Sequence, residues 1–326
     1  MDARNLGPTD LKITPIGLGC MQFSGPGTMA RRTFAPIEQP TVTAVVRAAL
    51  DGGITWFDTA EAYGRGHSER ALTTALDQCD VRPGDVTIAT KWLPVARSAR
   101  NIPRTIDDRL AALQGYPIDL YQIHEPFSSL GPVAPQLRAM AELRQRGMIR
   151  AVGVSNFNAG RMTAASRILG AGGATLASNQ VHINLLHRKI ERNGVLAEAR
   201  RLGVTLIAYS PLAGGALTGR FHEDPARGRA LPPLRRLGRG NIFTPRGLAR
   251  TAPLIDELRA IGVAHGGASV AQVALSWLVT FYGDTVVAIP GASKPAQAAE
   301  AAGAMDLALT PAEVARIDEL SRRVGA

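Results

Sequence analysis

Ile16-Gly17-Leu18-Gly19-Cys20-Met21-Gln22 follows directly from the first candidate strand of the chain, and its last residue separates two folds. A doubly wound dinucleotide-binding sheet places Gly-x-Gly-x-x-Gly here, because its third glycine lets the next helix pack closely on the strand. Gln22 stands where that glycine should be. Downstream, short apolar runs alternate with amphipathic stretches. Candidate strands are Ile16–Gly19, Thr55–Asp58, Val86–Lys91, Leu120–His124, Ala151–Ser155, Ala177–Val181, Thr205–Tyr209 and Val286–Ile289. Candidate helices between them are Thr41–Asp51, Ser68–Gln78, Pro103–Gln114, Val133–Arg146, Ala159–Leu169 and Lys189–Leu202. Strict strand-then-helix order implies a parallel sheet with helical crossovers. Eight such units predict an α/β fold closed into a single (β/α)8 TIM barrel, with residues 1–326 as one domain.

Additions at both ends fit that frame. Asn5–Ile13 reads as a β-hairpin turning at Gly7-Pro8-Thr9-Asp10, placed to close the barrel floor. Thr310-Pro311-Ala312-Glu313 is a capping box with proline at the first helical position, so an extra C-terminal helix is expected to pack across the barrel. Two connections are long, Gln22–Pro40 and Gly219–Arg250. The second carries eight arginines, and its Pro and Gly content argues against a stable helix. It is expected to be mobile in the free protein and to fold over a bound anion.

Composition narrows the function. The formal charge is +10, and lysine occurs only at positions 12, 91, 189 and 294, so nearly all the positive charge is arginine. The arginines are scattered and not interleaved with aromatics, which speaks against nucleic-acid binding. Cys20 and Cys79 form neither a disulfide framework nor a CxxC pair. The first ten residues lack an apolar signal core, and no run approaches the ~18 apolar residues of a membrane span. A soluble protein of a reducing cytoplasm is expected, without a membrane partner or metal. Its oligomeric state is left open.

Three consecutive candidate strands end in titratable residues: Asp58, Lys91 and His124, with Tyr63 five residues beyond Asp58. The carboxyl ends of barrel strands form the catalytic face. Carbonyl reduction needs a hydride donor and a proton donor at the oxygen. A free tyrosine is a weak acid at neutral pH, and a neighbouring Lys91 ammonium is expected to lower its pKa. Asp58 would keep that ammonium charged when buried. His124 would hydrogen-bond the substrate oxygen and polarise the carbonyl. A lysine ending a barrel strand also admits Schiff-base chemistry.

These segments, in order, resemble the aldo-keto reductase family: Ile16-Gly-Leu-Gly-Cys-Met21, Trp56-Phe-Asp-Thr-Ala-Glu-Ala-Tyr-Gly64, Ala89-Thr-Lys91, Asp119-Leu-Tyr-Gln-Ile-His124, Ile149-Arg-Ala-Val-Gly-Val-Ser-Asn-Phe157, Asn179-Gln180, Ala208-Tyr-Ser-Pro-Leu212 and Ile289-Pro-Gly-Ala292. The resemblance spans about residues 4–320. It implies an oxidoreductase that reduces an aldehyde or ketone with Asp58, Tyr63, Lys91 and His124 as catalytic tetrad and NADP(H), in preference to NAD(H), as cofactor. By the same resemblance Gly19, Cys20, Met21 and Asp58 lie beside the cofactor. Ser155, Asn156 and Gln180 hold the nicotinamide carboxamide, and Tyr209 stacks on its ring. Ser210, Leu212, Gly219 and Arg220 run beside the pyrophosphate. Gly291, Ser293, Lys294 and Gln297 lie at the adenosine end, where a helix start favours phosphate.

Some positions depart from the family. Gly291, Gln297 and Ala301 stand where Lys, Arg and Asn are common, Phe127 where an acidic residue is common, and His182 where Glu is frequent. The resemblance also admits a nicotinamide-sensing binding protein like the potassium-channel β-subunits. A small-molecule carbonyl compound is the expected partner.

Overall fold

The structure is a computed structural model and describes residues 1–26, 36–231 and 240–324. Residues 27–35 and 232–239, inside the two long connections, lie outside that description. Hairpin strands β1 (Arg4–Asn5) and β2 (Lys12–Ile13) pair antiparallel. The barrel strands follow as β3 (Leu18–Gly19), β4 (Trp56–Asp58), β5 (Thr87–Trp92), β6 (Leu120–Ile123), β7 (Ala151–Ser155), β8 (Leu176–His182), β9 (Thr205–Tyr209) and β10 (Val286–Ile289). Each pairs with its neighbour in chain order, all in parallel. Parallel bridges Ile16–Ala288 and Gly19–Gly291 join the last strand to the first and close the barrel.

A barrel strand sends alternate side chains inward and outward. Trp56, Ala89, Leu120, Ala151, Ile207 and Val287 belong to one buried apolar cluster, and Leu6, Leu11 and Ile13 of the hairpin complete it from below. Phe57, Ile88, Tyr121, Val152 and Leu206 belong to a second cluster shared with the surrounding helices. Two residues above Trp56, Ala89 and Leu120 on the same inward face come Asp58, Lys91 and Gln122. The period of the strand therefore lifts a polar layer directly onto the apolar plug.

Several boundaries move. The stretch Lys189–Leu202 is not one helix: a 3-10 turn at Lys189–Glu191 is separated from the helix Val195–Leu202 by Gly194 at φ 81°. Gly219–Arg250 contradicts its expected lack of helix. Arg220–Glu223 and Ala226–Arg229 are helical turns, and Arg246 and Arg250 sit in the opening turns of the helix Pro245–Ala264. Thr244 caps that helix by accepting from the Gly247 amide, and proline at the first position has no amide to lose. The C-terminal helix Pro311–Val324 packs against the outer helices Pro245–Ala264 and Val270–Phe281 and bonds to Leu185 and Arg188 in the connection after β8. Trp277 and Arg188 tie it down by donating to Val314 O and Asp318.

Gly153 in β7 has no side chain because the space is taken. A Cβ there would lie 2.4 Å from Ser178 Oγ and 2.8 Å from Gln122 Cγ. Gly153→Ala must therefore push Gln122 or β8 aside, and overpacking of this kind costs about 1–3 kcal/mol. Urea unfolding should show that loss, with the Gln122→Ala background recovering part of it. An unchanged midpoint for Gly153→Ala would mean the polar layer is loosely packed.

Candidate active site

Four strand ends and one loop build the site. Lys91 Nζ donates to Asp58 Oδ1 at 2.5 Å and to Thr59 O at 2.7 Å, and both charged side chains are buried. Asp58 Oδ2 accepts from Gln180 Nε2 at 2.8 Å and Gln122 Nε2 at 3.1 Å. The carboxylate is thereby satisfied from three strands. Burial opposes the Lys91 ammonium, but Asp58 and Tyr63 outweigh it and hold Lys91 above its ordinary pKa. It offers no neutral amine for a Schiff base.

Tyr63 arrives on the loop after β4. Its ring centroid lies 5.0 Å from Lys91 Nζ and 5.8 Å edge-on from the His124 ring. Burial raises the Tyr63 pKa, and the opposing pull of Lys91 does not overcome it. This corrects the expectation of a lowered value: taking a phenolate out of water costs more than one partly shared ammonium returns. His124 follows β6, its amide donating to Trp92 O at 2.9 Å. Burial, then Lys91, lowers its pKa to about 3, so the ring is neutral. Among the described residues, its Nδ1 has no hydrogen-bond partner.

Above this cluster opens a cavity of about 580 Å³. Of the residues singled out in the sequence, it is lined by Gly19, Cys20, Met21, Asp58, Tyr63, His124, Ser155, Asn156, Gln180, Tyr209, Ser210, Leu212, Arg220, Gly291, Ser293 and Gln297. Lys91 lies beneath the floor. Gly219 faces Val270 and Arg259 instead, and Lys294 is exposed at the start of the helix Pro295–Gly303. Burial pushes the Cys20 thiol well above its ordinary range, leaving it a packing group.

The wall is hydrogen-bonded to itself. Ser155 Oγ donates to Gln180 O at 2.9 Å and accepts from Asn156 Nδ2 at 3.2 Å; Tyr209 Oη donates to Asn156 Oδ1 at 3.2 Å. Asn156, Ser210 and Ala213 all hold positive φ, at 58°, 51° and 49°. Such conformations persist only where surroundings enforce them. Arg220 extends into the cavity; burial lowers its pKa, and its Nε has no hydrogen-bond partner among the described residues.

Sequence reasoning passed over Gln22, Gly214, Gly215, Thr218 and Glu300, which also line the cavity. The Gly214-Gly215 pair, at φ 68° and 97°, was a usable signal of close backbone approach. Gln22 had none. It fits because Gly291 lacks a side chain: a Cβ there would lie 2.3 Å from Gln22 Nε2.

A profile of the Aldo/keto reductase family matches residues 15–322. The chain is 38% identical over 308 residues to an uncharacterized oxidoreductase of Mycobacterium tuberculosis, covering 92% of this chain and 86% of that one. It is 33% identical over 307 residues to an aldo-keto reductase of Bacillus subtilis, covering 91% and 86%. Among solved structures, the glycerol dehydrogenase of Gluconobacter oxydans superposes with a TM-score of 0.82 at 28% identity, covering 100% of this chain and 97% of that one. A thermostable aldo-keto reductase in complex with the inhibitor epalrestat gives 0.74 at 29%, covering 98% and 100%.

The neutral His124 has a cost at low pH. Its pKa falls from 6.5 to about 3 on folding, so between those values the unfolded chain binds a proton that the folded chain refuses. Its contribution is complete above pH 6.5 and is lost as pH falls toward 3. The slope is at most about 1.4 kcal/mol per pH unit. Urea unfolding from pH 7 to pH 5 should therefore be steeper for the wild type than for His124→Gln. Parallel slopes would show that His124 titrates in the fold as it does in water.

Proposed function

Since the chain belongs to the aldo/keto reductase family, we propose that it is an NADP(H)-dependent oxidoreductase that reduces an aldehyde or ketone to the alcohol, reversibly, with Tyr63 as proton donor. The observation that carries this reading is the placement of Tyr63, Asp58 and neutral His124 together at the floor of one cavity, with Lys91 directly beneath it.

The cavity fits a nicotinamide dinucleotide. Arg220 is a partly desolvated cation whose Nε lacks a partner, which suits a pyrophosphate oxygen. Gln180 spends its amide N–H on Asp58, leaving its carbonyl oxygen to accept from a carboxamide, beside the Ser155 hydroxyl and the Asn156 amide. Tyr209 offers a ring face. Ser210, Leu212 and Gly219 belong to the loop beside the pyrophosphate. Gly19, Cys20 and Met21 form the facing wall, and Gly291, Ser293, Lys294 and Gln297 the adenosine end. When bound, the dihydronicotinamide supplies hydride to the carbonyl carbon.

The remaining work falls to the chain. His124 offers a ring N–H to the carbonyl oxygen and, being neutral, does not compete as an acid. Tyr63 is kept protonated by burial, so it has a proton to give to that oxygen as charge develops. Lys91 stands beside the phenolate so formed, and Asp58 balances the ammonium. Both changes of charge occur at the floor of the cavity beside the buried ion pair, where such partners act strongly.

Preference for NADP(H) rests on Lys294, the cation of the adenosine end. Gln297 Oε1 already takes the Ser293 amide and hydroxyl, at 2.9 and 3.2 Å, so it is engaged within the loop.

Following NADPH consumption over a broad panel of aldehydes and ketones tests the reaction. Tyr63→Phe should retain cofactor binding and lose turnover by about 10²–10⁴-fold. Near-wild-type turnover would remove Tyr63 as the acid. Lys294→Ala should weaken NADPH by about tenfold more than NADH, the scale of one charge-assisted hydrogen bond. Equal losses would make Lys294 an ordinary surface residue.

A further inference from the structure

His182, at the end of β8, is the middle of three stacked rings. It lies 5.3 Å from Tyr209 at an interplanar angle of 6°, and 4.2 Å from His187 at 20°. Tyr209 lines the cavity, so two imidazoles back the ring on which a nicotinamide would rest. The charge on the middle ring therefore matters to the cofactor. Oxidised nicotinamide is a cation and reduced nicotinamide is neutral. A positive charge behind Tyr209 would repel only the oxidised form and would draw on the same π-face that attracts it.

The hydrogen bonds around Asn184 decide that charge. Asn184 is buried. One end of its amide faces the Leu186 N–H at 2.9 Å, which can only donate, so that end is the oxygen. The other end faces Ser210 O at 3.0 Å, which can only accept, so that end is the NH2. The same NH2 lies 3.1 Å from His182 Nε2. Flipping the amide would break both bonds to the backbone, so Nε2 must accept and carries no proton. The proton of the neutral ring is then on Nδ1. A paired bridge between Asn184 and His187, with N···O distances of 3.2 and 2.9 Å, fixes the loop that carries the third ring.

We propose that Asn184 is a positioning residue for the cofactor: it holds His182 as a neutral, Nδ1-protonated ring flat behind Tyr209, and so keeps positive charge away from the nicotinamide. The proposal rests on Tyr209 receiving the nicotinamide. Among the described residues, the titratable groups stacked on His182 are Tyr209 and His187. Burial, then Lys189, disfavours protonation of His187, so the outer ring is also held toward neutrality. Ser210, the acceptor of the second Asn184 bond, is one of the strained cavity residues at φ 51°, so a single amide supports both the stack and the loop beside it.

The tautomer of His182 is directly measurable in the unaltered protein by ¹⁵N-edited long-range NMR at pH 7. The pattern of a neutral Nδ1–H ring is expected. An Nε2–H ring, which free imidazole prefers, or a doubly protonated one overturns the proposal. Asn184→Asp replaces the obligatory donor with an acceptor and should place a second proton on His182. Fluorescence titration should then show oxidised cofactor weakened by up to about threefold relative to reduced, the new carboxylate offsetting part of the imidazolium's charge. The double variant Asn184→Asp, His182→Phe keeps the stack and leaves only the new carboxylate, so the oxidised form should no longer be disfavoured relative to the reduced one. A doubly protonated His182 that leaves the ratio unmoved, or a double variant that still disfavours the oxidised form, overturns the coupling. If the wild-type protein binds neither cofactor form, the reading of the cavity has failed, while the tautomer still decides the role of Asn184.

Discussion

The buried Asp58–Lys91 pair is the constraint around which the top of the barrel is arranged. Removing two charges from water costs several kcal/mol each, and their attraction repays this only when every remaining polar atom is also satisfied. Here the second carboxylate oxygen takes two amide donors, from Gln122 and Gln180, and the ammonium takes a second acceptor, Thr59 O. Losing either charge would strand the other, at about 3–5 kcal/mol. The pair therefore dictates its neighbours: two glutamines at fixed heights on β6 and β8, and a glycine in β7 where Gln122 needs room.

The same charge acts, together with burial, on the two titratable groups beside it. Lys91 adds to burial in keeping His124 neutral, whereas it works against burial at Tyr63 and is outweighed. Burial, helped by Lys91 at one ring and opposed by it at the other, leaves an uncharged imidazole and an intact phenol side by side. The loop carrying Tyr63 is held independently. Glu61, two residues before it, accepts from the Leu93 amide at 2.5 Å and Arg97 Nη1 at 2.7 Å, tying the loop to the end of β5. Beneath it, buried Glu69 pairs with Arg109 and accepts from Thr90 at 2.6 Å, one residue before Lys91. Tyr63 is fixed by ion pairs on the outside of β5 while it faces the ammonium on the inside.

Strand-borne features were the legible part. Period two and strand-then-helix order are written in every barrel unit, so the eight strands and the heights of Asp58, Lys91 and His124 could be read directly. The features that were missed depend on contacts distant in sequence. Gly194 breaks a helical pattern because the chain must turn there, and the periodicity of Lys189–Leu202 carries no sign of it. The arginines of Gly219–Arg250 suggested an unstructured stretch, yet Thr244 and Pro245 start a helix whose buried side is supplied by residues further on, such as Leu254 and Leu258. The protonation of Tyr63 differs from expectation for a related reason: the sequence shows that a lysine is near, but only the fold shows that burial outweighs it.

That division separates what this chain holds fixed from what it leaves free. Asp58 and Lys91 lie within barrel strands, and His124 follows β6 directly, with its amide hydrogen-bonded to β5, so their placement is locked to the register of the sheet. Displacing one moves the strand pairing with it. Gly291, Gln297 and His182 are different. They are three of the positions at which this chain departs from the family pattern, His182 at the end of β8, Gly291 just after β10 and Gln297 in the first turn of the helix that follows. There, substitution is absorbed locally: Gln22 fills the space that Gly291 leaves, Gln297 turns onto Ser293, and His182 stacks between two rings with Asn184 as its partner. Gly291 and Gln297 shape the rim of the cavity, and His182 backs Tyr209, without disturbing the ion pair below. The polar floor and the rim of the cavity are thus set by separate interactions, one governed by sheet geometry and the other by a few side-chain hydrogen bonds.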